Sequence, residues 1–168
     1  PEDDDATPLQ GSEASQYRAV AARINFLAQD RAELLFAAKE CSRHMSAPLK
    51  GDFGPMKRIG RFLAGRPRSV TVYAWQDRPT CFSVYTDSNW AGCKASRKST
   101  SGAVFLHGSH MLKAFSRTQA NIALSAAEAE LYATVTAASE GLGLKAMSLD
   151  FGMRPHEWRR SQTIPRLL

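Results

Sequence analysis

Two carboxylates carry the chemistry this sequence offers. Asp87 stands just past the apolar run Phe82-Ser83-Val84-Tyr85, where the chain leaves a strand through Ser88-Asn89-Trp90-Ala91-Gly92. Glu130 falls in the first turns of a long helical stretch. One residue along a helix is a turn of about 100°, so Glu130 borders the stripe that holds Leu131 and can face a sheet end. Two acids on different elements can share a divalent cation that relieves their repulsion, and their hard oxygens suit Mg²⁺. Each also has a plainer reading: Asp87 can open an Asx turn, and Glu130 can be a solvated residue favoured by the helix dipole. Other reactive side chains are sparse. Cys41, Cys81 and Cys93 form no CxxC pair, which speaks against a disulfide scaffold and a structural zinc site. His107 and His110 make an H-x-x-H with no third ligand, and Cys93 beside Lys94 has no base near it in sequence. No Ser-His-Asp or Cys-His arrangement is visible.

The elements that must position the two acids follow from hydrophobic period and punctuation. Tyr17, Val20, Ile24 and Leu27 keep a helical spacing; Leu34, Leu35, Ala38, Cys41 and Met45 continue it after a break at Asp30-Arg31. A third helix over about 52–64 sets Met56, Ile59, Phe62 and Leu63 against Lys57, Arg58 and Arg61, and Gly65 with Pro67 ends it. The period then changes. Val70–Trp75 and Cys81–Thr86 read as strands, as do Ser101–His107 and Met111–Ser116, the last two joined by Gly108-Ser109 in a hairpin. A long helix from about Ala126 to Asp150 opens on the capping box Ser125/Glu128. Leu131, Val135, Ala138 and Leu142 recur at 4, 3, 4 spacing, predicting its buried stripe. No period is visible in Arg154–Leu168, which is assigned no structure.

The chain has 168 residues, 43% apolar and 23% charged, a composition of folded globular proteins. No apolar run approaches the roughly 20 residues a membrane helix needs, so an integral membrane protein is excluded and an intracellular, cytoplasmic or nuclear location is expected. With no initiator Met and no leader, the chain reads as a piece of a longer polypeptide. Of its 16 acidic residues five lie in 1–16, with none of the 22 basic ones, so the remainder carries +11. Residues 1–16 read as a mobile acidic linker, and the basic body points to nucleic acid as partner, with a generally basic surface as the alternative.

Three motifs occur in order: Tyr85-Thr86-Asp87-Ser88-Asn89-Trp90-Ala91-Gly92, then Arg97-Lys98-Ser99-Thr100-Ser101-Gly102, then Ala123–Leu131. Together they resemble the ribonuclease H region of copia-type retrotransposon Pol polyproteins. Tyr17-Arg18, Ser42-Arg43-His44-Met45, and Lys57-Arg58 with Arg61-Phe62-Leu63 resemble the connection segment before that region. The resemblance implies an α/β, ribonuclease H-like mixed sheet with a long helix, preceded by a helical connection segment and, in the parent polyprotein, a reverse transcriptase domain. The divisions are then 1–16 linker, 17–68 connection segment, 69–152 partial ribonuclease H-like domain and 153–168 unstructured tail. It implies Mg²⁺-dependent cutting of the RNA strand of an RNA–DNA hybrid, with Asp87 and Glu130 as catalytic metal ligands and Glu128 kept for capping. Arg97, Lys98, Ser99 and Thr100 would contact phosphate. Arg117, Gln119 and Asn121 would reach the minor groove, where the 2′-hydroxyl marks RNA. For each of these a solvated polar loop is the competing reading.

The sequence departs from that family where the long helix ends. The family carries a third carboxylate on a strand directly after it. Asp150 lies 20 residues past Glu130, about 30 Å along one helix, and Glu157 sits in a stretch without strand pattern. The C-terminal part of the fold is therefore expected to be missing, leaving at most one weakly held Mg²⁺, impaired catalysis and an unpaired strand edge. A non-catalytic nucleic-acid-binding module and a decayed fragment remain as alternatives.

Overall fold

The protein's structure, a computed structural model, describes residues 3–153 and 157–160, with side chains over 5–153. The chain divides into two compact units, residues 1–71 and 72–168.

In the first unit, helices α1 (Gly11–Leu27), α2 (Leu35–Arg43) and α3 (Phe53–Gly65) are joined by the short 3₁₀ turns Ala32–Leu34 and Lys50–Asp52. Their apolar faces meet in one core of Tyr17, Ala21, Ile24, Leu34, Ala38, Cys41, Met56 and Ile59. Tyr17 is fully buried; its hydroxyl donates to the Cys41 carbonyl at 2.8 Å, and its ring meets Phe53 edge-on at 5.5 Å. The acidic start is more ordered than its composition implies. Asp3–Ala6 forms a 3₁₀ turn, Leu9 and Ala14 are buried, and the Leu9 N–H donates to the Pro48 carbonyl. Backbone pairing of Pro8 with Leu49 holds this segment, a tie that leaves no side-chain period to read.

The second unit is a mixed α/β layer. Strands β1 (Cys81–Asn89), β2 (Thr100–His107) and β3 (His110–Thr118) form an antiparallel sheet, on which helix α4 (Ala126–Asp150) packs. The β2–β3 hairpin turns at Gly108-Ser109, where Gly108 takes φ +63°, a conformation glycine adopts without penalty. Ser125 caps α4, accepting from the Glu128 N–H at 3.1 Å, while the Glu128 carboxylate accepts from the Leu124 N–H at 2.7 Å.

Three expectations are corrected. Residues 157–160, assigned no structure from sequence, form a strand β4 (Glu157–Arg160) parallel to β1, giving the order β3-β2-β1-β4. The edge of β1 is thus paired over Cys81–Val84. Val70–Trp75 is not a strand: it pairs with none among the described residues, and Val70, Val72, Tyr73 and Trp75 are exposed. Strand propensity expresses itself only against a neighbouring strand. Gln76 instead ties the following residues to the hairpin turn, donating to the His107 carbonyl and accepting from the Ser109 N–H and hydroxyl. Lastly, α4 buries Ala129, Ala133, Ala137 and Gly141, while Leu131, Val135, Ala138 and Leu142 face outward. Small residues let the helix sit close on Ala103, Phe105 and Phe115 of the sheet, and close packing outweighs side-chain size.

Candidate active site beside strand β1

Among the described residues β4 stops opposite Val84, so the β1 edge turned away from β2 is open from Tyr85 to Asn89. The first turns of α4 reach that opening. Glu130 Oε1 accepts from the Ser88 N–H at 3.2 Å and from the Ser88 hydroxyl at 2.9 Å. Register explains the approach. Ser101, Ala103 and Phe105 of β2 are buried beneath α4, and their partners Ser88, Thr86 and Val84 share that face. By strand alternation Asp87 leaves on the other face and is exposed. Glu130 therefore comes to the strand edge from the helix side, bonding the residue next to Asp87, whose Cα lies about 3.8 Å from that of Ser88. A cation seated at the edge would be open to one acid from above and to the other from below.

The donor set is small. Among the described residues no group of three or more His, Cys, Asp or Glu side chains is placed to hold a metal ion. Asp150 ends α4, about 30 Å from Glu130. Glu157 is in register with Cys81, six residues and about 20 Å back along β1 from Asp87. Among the described residues Asp87 and Glu130 are thus the only two carboxylates near this edge, a set too small for a two-ion centre.

Behind the acids lies a buried polar brace. Ser99 is fully buried: its hydroxyl accepts from the Ala91 N–H at 3.0 Å and its carbonyl from the Gln119 N–H at 2.8 Å. Gln119 is 8% exposed and donates to the Ser101 hydroxyl and the Ala129 carbonyl, each at 2.9 Å. Together they fix the β1–β2 turn and the first turn of α4, and so the line of approach of Glu130. Neither side chain is available to a nucleic acid, which corrects the expectation for Ser99 and Gln119. Arg117 is also engaged, donating to Glu140 at 2.6 Å and lying 4.8 Å over the Phe115 ring. Of the other positions, Arg97 and Asn121 are exposed, and Lys98 and Thr100 are half-buried. Trp90 sits at the rim, 47% exposed, with its indole N–H on the Ala123 carbonyl at 3.0 Å. Tyr132 donates to Glu128 at 3.0 Å, and that bond raises the phenol's pKa.

Glu140 is the residue that sequence reasoning missed. It takes both Lys113 and Arg117 of β3, clamping α4 to the far strand, and those bonds, Lys113 first, hold its carboxyl below the ordinary value. Two cations four residues apart on one strand face were the available signal.

No family model matches the chain, and no solved structure does. The retrovirus-related Pol polyprotein from transposon RE1 of Arabidopsis thaliana is 27% identical over 143 residues, 85% of this chain and 10% of that polyprotein. The corresponding polyprotein from transposon TNT 1-94 of Nicotiana tabacum is 28% identical over 128 residues, 76% of this chain and again 10% of its own length. The chain thus spans about a tenth of the Pol polyproteins it matches. Secreted RxLR effector protein 161 of Plasmopara viticola is 31% identical over 129 residues, 75% of this chain and 88% of that protein. Among the described residues no helix is long and apolar enough to cross a membrane. With that last relative covered over nearly its whole length, the chain belongs to the same family as secreted RxLR effector protein 161, and it shares distant similarity with copia-type retrotransposon Pol polyproteins over most of its length.

Proposed function

We propose that residues 72–168 are a ribonuclease H-like segment of Pol descent that engages RNA–DNA hybrid, and whose inherited reaction is metal-dependent hydrolysis of the RNA strand, weakened here by the short supply of carboxylates. The single observation that carries this reading is the Glu130 carboxylate on Ser88, beside Asp87, at the open edge of β1. The strand order supports it: three antiparallel strands, a long helix, then a strand parallel to the first, where the family resemblance implies the next carboxylate. That strand is present as Glu157–Arg160, but its acid, Glu157, lies at the wrong end.

Asp87 and Glu130 would hold the cation, Mg²⁺ by the hardness of their oxygens, and a cation there would supply Lewis-acid stabilisation of charge on phosphate. The chain's own contribution is positional. Ser88 fixes the Glu130 carboxylate with two hydrogen bonds, Gln119 and Ser99 lock the elements that carry them, and Arg97 and Lys98 offer positive charge at the adjoining turn.

The test is a binding and cleavage assay on one labelled hybrid in Mg²⁺. Hybrid affinity falls steeply with salt, and whatever RNA-strand cleavage occurs disappears in Asp87→Asn without loss of binding. Salt-independent binding, or cleavage untouched by Asp87→Asn, refutes the assignment. A second reading, binding without cleavage, is favoured by the lack of a three-ligand cluster among the described residues, and appears in the same assay as bound, intact RNA.

A further inference from the structure

We propose that α4 is a self-association surface on which two copies of the chain pair antiparallel, helix against helix. The inference does not depend on the nuclease reading. Helix α4 carries apolar residues on two sides, and among the described residues the sheet covers the small-residue one. The opposite side carries Leu131, Val135, Leu142 and Leu149, which are 60, 59, 63 and 45% exposed. With Glu128, Ala138 and Lys145 these positions alternate spacings of 3 and 4 without interruption from 128 to 149, the repeat of a coiled-coil seam about 32 Å long.

The pattern of that seam identifies its occupant, because it is complementary to itself when reversed. A two-fold axis level with Thr136 and Ala137 sets Leu131 against Leu142 of the second copy, and the larger Val135 against the smaller Ala138. The same axis sets Glu128, an acid in the seam, against Lys145, a base in it. Each layer then pairs apolar with apolar or plus with minus. A parallel arrangement instead stacks Glu128 on Glu128 and Lys145 on Lys145. Polar residues inside such a seam fix register and orientation, so this pair selects the antiparallel dimer. Closed two-fold pairing also makes both surfaces identical, which a self-complementary stripe requires.

Sedimentation velocity on the full chain between roughly 1 and 100 µM reads the association directly. A concentration-dependent dimer is expected. Leu142→Glu, which sets a charge against Leu131, raises the dissociation constant at least about tenfold, and Lys145→Glu, which sets acid against acid, also weakens it. Both positions lie on the outward side, so the circular dichroism of dilute variants stays that of the parent. The double variant Val135→Cys/Ala138→Cys oxidises to a covalent dimer. A chain that is monomeric at the highest concentration, or a dimer unaffected by both charge variants, overturns the proposal and leaves the stripe to a different partner.

Discussion

Which side of α4 is inside can be decided by a reciprocal pair of substitutions. Ala133 has no exposed surface, whereas Leu131 is 60% exposed. Full burial of a leucine side chain is worth about 1.5–3 kcal/mol, so truncating one that is mostly exposed, in Leu131→Ala, costs at most about 1 kcal/mol in the monomer. Ala133→Leu forces extra carbons into the contact between α4 and the sheet and costs about 1–3 kcal/mol. Were the Leu131 stripe buried instead, the order would invert: Leu131→Ala would cost about 2–5 kcal/mol and Ala133→Leu next to nothing. Trp75, Trp90 and Trp158 all belong to the second unit, so tryptophan fluorescence in urea reports on it alone. With a slope of about 2 kcal/mol per molar urea, a 2 kcal/mol loss moves the midpoint by about 1 M. The measurement is made at dilution, where association through α4 does not contribute. A midpoint that falls by 1 M or more for Leu131→Ala and stays put for Ala133→Leu refutes the packing described.

Two further outcomes follow from the ionisable groups. Burial, and secondarily Cys41 and Asp52, push the Tyr17 phenol up to about 12, so its stabilising contribution is intact below pH 10 and is lost as pH rises through the folded value. Absorbance titration should show Tyr17 ionising last, together with unfolding of the helical unit, and a full set ionising normally near pH 10 would contradict that burial. Glu140 has a lowered pKa from Lys113 and then Arg117, so its contribution is present above the ordinary carboxylate value and fades as pH falls through the folded one. Discounted for solvent screening of its half-exposed partners, Glu140→Gln costs about 1 kcal/mol at pH 7 in urea melts; a loss that persists equally at pH 3 would show that the clamp does not work through charge.

Much of the scaffold is written in local signals. Ser125 and Glu128 announce the start of α4 because a cap needs only its own turn, and Gly108-Ser109 announces the hairpin because its geometry demands a glycine. The core helices show their period at Tyr17 and Ile24, where one large side chain per turn meets the interior. What is not legible depends on partners distant in sequence. Leu131 and Ala133 exchange roles because a row of small side chains lets α4 lie close on the sheet. Val70–Trp75 has strand composition and no strand beside it, while Glu157–Arg160 lacks strand composition and pairs with β1. At the candidate site, residue type and spacing single out Asp87 and Glu130, and Glu130 bonds the residue beside Asp87. The inward turn of Ser99 and Gln119 is not legible, since polarity alone does not distinguish a brace from a contact.

The proposed cation site requires Asp87 and Glu130 to address one point from two sides of a strand edge. Titrating the ¹⁵N-labelled chain with Mn²⁺, whose unpaired electrons broaden nearby amide signals, tests this most directly. The account predicts that amides of residues 86–89 and 129–131 broaden together at the lowest additions, and that Asp87→Asn removes the effect from both segments. Broadening confined to one segment, or centred elsewhere in the chain, would contradict it.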